Sequence, residues 1–305
     1  MTSALRSCIW AVLSALLFFS ATPASAALRV VTTTEDLAAL AREIGGDEVK
    51  VDTLTRGYQD AHFIAAKPSY MFRMNRADLL IYQGMELEVG WLPLLIQGSR
   101  NPDIMIDGPG HLNASIVVEP IEVPQALDRA MGDVHPFGNP HYLLEPVNGV
   151  RVAGLIAERL TLLVPDKKDY FLKNLKSFAE RIKVKIAEWK RRMEFAKGLK
   201  VTAYHRTWSY FFKFFDIDYS ALIEVVPGIP PTPRHLAHVV DAMHIDNAKL
   251  VVQANYYESR SAKFVAEKTG SKILTLPVAV GGFKEIKTYI GLFEYIISVF
   301  EREVK

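Results

Sequence analysis

The stretch FLKNLKSFAERIKVKIAEWKRRM, residues 171–193, sets the architecture. Phe171, Leu175, Phe178, Ile182, Ile186, Trp189 and Met193 recur at steps of three or four, which puts them on one helix face, and charged residues fill most of the rest. With its flanks the pattern keeps helical spacing over roughly 30 residues, a rod of roughly 45 Å at about 1.5 Å per residue. A continuous apolar face of that length packs on more than one body and limits hinging, as a Gly/Ser linker does not. Residues 166–197 are therefore expected to form a connecting helix between two lobes, 27–165 and 198–305.

Outward from that rod, both flanks alternate strand and helix. In the first, Leu28 to Thr32 is a β-branched strand, Thr34 an N-cap, and Leu37, Leu40, Ala41 and Ile44 a helix face stopped by Gly45-Gly46. Strands follow at Val49 to Leu54, Ala77 to Tyr82, Ile104 to Ile106 and Ser115 to Val118, with helices opened by Pro68, over Glu86 to Ile96, and from Val152 to Leu163. Pro120 to Pro140 lacks periodicity and reads as a loop carrying His135. In the second flank, strands at Lys200 to Tyr204, Ser220 to Val225, Leu250 to Gln253 and Lys272 to Leu276 alternate with four helices. The predicted fold class is α/β: two lobes, each with a mostly parallel four-stranded sheet flanked by helices, joined by one long rigid helix.

The first 26 residues read as an address. Arg6 supplies positive charge, Cys8 to Phe19 is apolar, and Ala24-Ser25-Ala26 is a small-residue cleavage signal, so residues 1–26 are expected to be a cleaved signal peptide and the mature protein periplasmic. The apolar run falls short of the about 20 residues of a spanning helix. Cys8 is the sole cysteine, so no lipid anchor, disulfide or thiolate ligand is expected after cleavage. The remaining chain has 35 basic and 34 acidic residues, and its lysines and arginines cluster on the polar face of the long helix. Neither feature suits a nucleic-acid binder. A monomer is expected.

Three histidines carry the chemistry. Pro140 fixes its own φ and keeps Asn139 extended, so His141 starts from a restricted backbone. His62 and His205 each follow a strand end in different lobes, where open parallel sheets bind ligands. Three neutral imidazoles meeting between the lobes suit zinc, with bonds of about 2.0–2.1 Å; the absence of thiolates argues against soft-metal clusters. Catalytic zinc would need a general base nearby, but neither His-Glu-x-x-His nor Gly-x-Ser-x-Gly occurs, and Ser209 belongs to an aromatic helix. A zinc-dependent hydrolase is therefore the weaker reading, and the chain is expected not to be an enzyme. A siderophore or haem carrier would share the two-lobe form but present a broad aromatic cleft.

Asp60-Ala61-His62, Ala77-Asp78-Leu79-Leu80-Ile81-Tyr82-Gln83-Gly84, Asn139-Pro140-His141-Tyr142-Leu143 and Tyr204-His205-Arg206-Thr207-Trp208-Ser209-Tyr210 together resemble the periplasmic zinc/manganese-binding proteins of ATP-driven metal importers, cluster A-I type. The resemblance runs through nearly the whole chain after residue 26. It implies a carrier of Zn2+ or Mn2+ as transported ligand, a membrane permease as partner, His62 and His141 as first-lobe ligands and His205 as the second-lobe ligand. A histidine in this third position, where manganese-type members tend to carry an acid, leans toward zinc. The chain departs from its relatives at the fourth ligand: Leu276 to Gly282 holds no acid, and Ala254-Asn255-Tyr256 stands where many read Glu-Pro-Tyr. Glu224 is expected to fill that place, with Glu258 the runner-up and Gln253 or water behind them. Between the first two ligands stand only His111 and His135, too few for a metal-gathering loop. His235, His238 and His244 are read as structural.

Overall fold

The computed structural model describes residues 26–124, 135–224 and 228–305. Apart from Ala26, the expected leader lies outside the described residues, as do 125–134 of the expected loop and Val225 of the strand expected from Ser220. Among the described residues eight strands form two parallel four-stranded sheets. In the first sheet are β1 (Leu28–Thr32), β2 (Val49–Thr53), β3 (Leu79–Tyr82) and β4 (His111–Asn113), in the order β2-β1-β3-β4. The second holds β5 (Lys200–Ala203), β6 (Asp218–Leu222), β7 (Leu250–Ala254) and β8 (Lys272–Leu276), in the equivalent order β6-β5-β7-β8. Leu79, Leu80 and Ile81 are wholly buried, and every residue of β7 is buried. That is the signature of parallel strands covered on both faces, and it explains why they read as unbroken apolar runs.

The helices are α1 (Glu35–Gly45), α2 (Pro68–Asn75), α3 (Leu92–Ser99), α4 (Pro146–Leu163), α5 (Lys168–Arg192), α6 (Ser209–Phe214), α7 (Pro233–Ile245), α8 (Arg260–Thr269) and α9 (Tyr289–Val304). Helix α5 is the expected rod, about 38 Å long at 1.5 Å per residue. Its ends tighten into 3-10 turns at Pro165–Lys167 and Glu194–Ala196. Phe171, Phe178, Ile182 and Trp189 bury its apolar face; full burial of such side chains contributes about 1.5–3 kcal/mol each. Polar contacts fix the rod at both ends. Toward the first lobe Lys167 Nζ meets Glu48 at 2.6 Å, Asn174 donates to the Ile44 carbonyl at 2.9 Å and Arg181 pairs with Glu43. Toward the second, Arg192 bridges Glu294 at 2.6 Å and Glu301 at 2.7 Å, both on α9. One apolar cluster runs from Leu37 and Ile44 through Phe178 and Trp189 to Phe293 and Phe300, so the two lobes share a core.

Two stretches differ from the sequence expectation for local reasons. The helix expected over Glu86 to Ile96 starts only at Leu92, because Gly84, Met85 and Glu86 take left-handed φ values of +80°, +52° and +63°. Glu88 then turns back, and its buried carboxylate accepts the N–H groups of Gln83 at 2.7 Å and Gly84 at 3.1 Å. Strands expected at Ile104 to Ile106 and Ser115 to Val118 give way to one strand between them, β4. Asn101 accepts from the Asp103 N–H and Asn113 from the Ser115 N–H, capping 3-10 turns at Pro102–Ile104 and Ala114–Val117. Side-chain capping overrides the β-propensity of the isoleucines and valines there.

Candidate metal centre

The loops that leave the carboxyl ends of the strands meet between the two sheets, and they bring His62, His141 and His205 together. One ligand nitrogen from each lies within 4.8 Å of the others. Ring centroids stand 5.2 Å apart for His62 and His141, 5.7 Å for His62 and His205, and 5.6 Å for His141 and His205. Each ring is aimed by local structure. Asp60 Oδ1 accepts the His62 backbone N–H at 3.0 Å and lies 2.6 Å from His62 Nδ1. The turn is pinned by the buried Trp91, whose indole N–H donates to the Ala61 carbonyl at 2.9 Å. With Nδ1 donating to Asp60, His62 offers Nε2 as a lone pair, the tautomer a metal requires.

Asn139 does the same for the other two rings. Its Oδ1 accepts the His141 N–H at 2.9 Å, while its amide donates to the Arg206 carbonyl beside His205 and to Glu122, both at 2.8 Å. One buried side chain thus ties the two His-bearing segments of opposite lobes. Gln83 adds a bond from Nε2 to the Pro140 carbonyl at 2.8 Å, and Tyr289, opening α9, donates to the Leu143 carbonyl at 2.6 Å.

The surroundings disfavour a charged His141 ring. Burial pushes the His141 ring well below the ordinary histidine value, and neighbouring His62, His205 and His135 push it further. His141 Nε2 is buried with no hydrogen-bond partner. For Asp60, burial raises the carboxyl, but its hydrogen bonds with His62 and that ring's charge outweigh burial and hold it below the usual carboxylate range. An orphaned imidazole nitrogen, costly by itself, has its natural partner in a cation held jointly with the other two rings.

The pocket that opens on His62 and His141 is small, about 50 Å³, and on the second-lobe side Tyr256, Val278 and Ala279 line it. It has room for a bare ion and not for a siderophore or haem, whose sites run to about 300–1,000 Å³. Beside it the lobes touch closely. The Val280 N–H donates to the buried Asp36 carboxyl at 2.8 Å, and Gly57 lies so near Val280 and Gly282 that a Cβ there would overlap their main chain.

The candidates for the fourth position are placed as follows. Glu224 Oε2 stands 2.9 Å from His205 Nδ1, off hydrogen-bond alignment, and its Oε1 accepts the Gly228 N–H at 2.9 Å. It lies beside His205 and outside the three-histidine group. Glu258 is exposed; the Gln253 amide nitrogen donates to Ser259 and Thr275, while its Oε1 is buried without a partner and outside the three-histidine group. His111 bonds the Ile104 carbonyl and the Tyr82 hydroxyl, and His235 the Leu222 carbonyl. Sequence reasoning passed over His135, whose Nε2 lies 3.1 Å from His62 Nε2. Its signal was the paired arrangement His135-Pro136 and Pro140-His141, two histidines six apart, each stiffened by a proline.

The model of the family described as zinc-uptake complex component A, periplasmic (ZnuA), matches residues 30–302. The metal ABC transporter substrate-binding lipoprotein ScbA of Streptococcus cristatus is 24% identical over 280 residues, 89% of this chain and 87% of that protein. The manganese ABC transporter substrate-binding lipoprotein PsaA of Streptococcus pneumoniae is 24% identical over 278 residues, 88% and 86% of the two chains. Among solved structures, a crystal structure of ZnuA superposes with a TM-score of 0.75 at 21% identity, covering 90% of this chain and 98% of that one. The laminin-binding protein Lmb of Streptococcus agalactiae gives 0.76 at 23% identity, covering 91% and 100%. The chain belongs to the ZnuA family and is a metal-binding substrate-binding protein of an ABC importer, not an enzyme.

Proposed function

We propose that the protein captures a single zinc ion between its lobes on His62, His141 and His205 and delivers it to a membrane permease. The observation that carries this reading is His141 Nε2, buried without a partner and facing two further imidazoles. Neutral nitrogen donors with no carboxylate among the three favour zinc over manganese, which prefers oxygen and stands lowest in the divalent affinity order. The manganese reading rests on the names of relatives such as PsaA, and Val278 and Ala279 offer no carboxylate to support it. Asp60 and Glu224 stand beside the rings of His62 and His205, and the Asp60 contact fixes the orientation of the His62 ring. The protein acts as a monomer in the periplasm, exported by residues 1–26.

The test is metal content and competitive zinc and manganese affinity of the chelator-stripped mature protein, beside a His62/His141/His205 triple alanine variant. One zinc per chain, bound more tightly than manganese and lost in the variant, is expected. Equal binding by both proteins refutes the site, and tighter manganese refutes the metal. Intact mass of the exported protein and its sedimentation check cleavage at residue 26 and the monomer.

A further inference from the structure

We infer that His135 is the fourth ligand of the captured ion, completing an all-imidazole site. This rests on the capture reading above and adds a residue to it. His135 Nε2 lies 3.1 Å from His62 Nε2, with the ring centroids 5.2 Å apart. Two nitrogens on one tetrahedral zinc, each at about 2.0–2.1 Å, are separated by about 3.3 Å. The observed spacing from His62 is thus already that of neighbouring ligands, and a shared ion would draw His135 from its place outside the 4.8 Å group of His62, His141 and His205. His62 Nδ1 is committed to Asp60, so the nitrogen that faces His135 is the one that would face the ion.

The segment carrying His135 is built to hold it there. Gly138 takes a left-handed φ of +100° and its N–H returns to the His135 carbonyl at 3.1 Å, closing a turn over Pro136 and Phe137. Asn139 N–H then donates to the Ile121 carbonyl at 2.9 Å, which anchors the turn on the first lobe. A Cβ at Gly138 would meet the Ile121 carbonyl and Pro120 at 2.8 Å, so the turn needs glycine for space as well as for φ. The same Asn139 aims His141, so one short run, residues 135–141, positions two imidazoles toward His62.

The opposite wall explains the need. Where an acid from the last strand's loop could have reached the ion, Val278 and Ala279 line the pocket, and that loop is instead fixed to the first lobe through Val280 and Asp36. Glu224 is held beside His205 Nδ1 and by Gly228. Four neutral nitrogens exclude manganese more strongly than three nitrogens and an oxygen would.

Zinc K-edge absorption on the loaded full chain, with competitive zinc affinity measured in parallel, tests this on wild type, His135→Ala, His135→Phe and His62→Ala. Imidazole scattering should fit four rings in wild type and three rings plus one oxygen in both His135 variants, whose zinc affinity should fall at least about tenfold while still binding one ion. His135→Phe keeps the ring's volume, so restored affinity in that variant would make the role packing and overturn the assignment. Three rings and one oxygen in wild type, or unchanged affinity in His135→Ala, also overturn it and leave the other three ligands standing. Wild type that binds no zinc overturns the capture reading itself, and equal zinc affinity in wild type and His62→Ala removes the shared site on which both rest.

Discussion

Asp36→Asn should make the stability of the metal-free protein less dependent on pH. Asp36 lies in the first turn of α1, is buried, and accepts the Val280 N–H across the lobe interface at 2.8 Å. Burial drives its pKa from 3.8 to about 7, against the opposing Val280 hydrogen bond and with a smaller push from Glu35. Between those two values the folded chain holds a proton that the unfolded chain has lost. Stability is therefore greatest below about pH 4 as far as this group is concerned, and falls as the pH rises toward 7. A rise of about 3 pKa units at about 1.4 kcal/mol each makes the loss about 4 kcal/mol. Asparagine keeps an oxygen for Val280 and cannot ionise. The variant should thus gain about 4 kcal/mol on wild type between pH 4 and pH 8, read from urea unfolding of chelated protein by the fluorescence of buried Trp91, Trp189 and Trp208. Other groups titrate alike in both proteins and cancel in the difference. Parallel pH profiles would refute the argument that Asp36 is a buried carboxyl protonated near neutrality.

Three further outcomes follow from the geometry. Gly57→Ala places a methyl against the main chain of Val280 and Gly282; it should cost about 1–3 kcal/mol and lower Tm by several degrees, and an unchanged thermal scan would show that the loops part freely. Asn139→Ala unties His141 from the Arg206 carbonyl and should weaken zinc binding about tenfold or more with the circular dichroism spectrum intact; undiminished affinity would mean the rings are aimed by something else. Asp60→Asn leaves His62 without its carboxylate and should lower zinc affinity by about 10–100-fold in a chelator competition, whereas no change would show that the 2.6 Å contact does not orient the ring for the ion.

Strong periodicity made most of the fold legible. The face from Phe171 to Met193 fixed the rod, and the apolar runs at Leu28, Leu79, Val201 and Leu250 fixed two covered parallel sheets. The element edges were not legible where one polar side chain decides them: Glu88 delaying α3, Asn101 and Asn113 turning β-branched residues into 3-10 caps. At the site, His62 and His205 were marked by strand ends, because chain topology dictates where such loops converge. His135 was not, since its position depends on a turn through Gly138 that no period announces. Glu224 was read as the fourth ligand from its place after the strand next to the one leading to His205, and its contacts with His205 Nδ1 and the Gly228 N–H depend on a rotamer that no pattern announces.

Helix α5 is fixed by Lys167, Asn174 and Arg181 at one end and by Arg192 at the other, over a core common to both lobes. A carrier so braced has nearly the same outline with and without cargo. Its permease then has little overall shape by which to sort full from empty, and discrimination falls to the few loops at the mouth of the site. Empty carrier becomes a competitor for the transporter, so import should slow when the protein outnumbers the ions it finds, and expression level becomes part of the transport law.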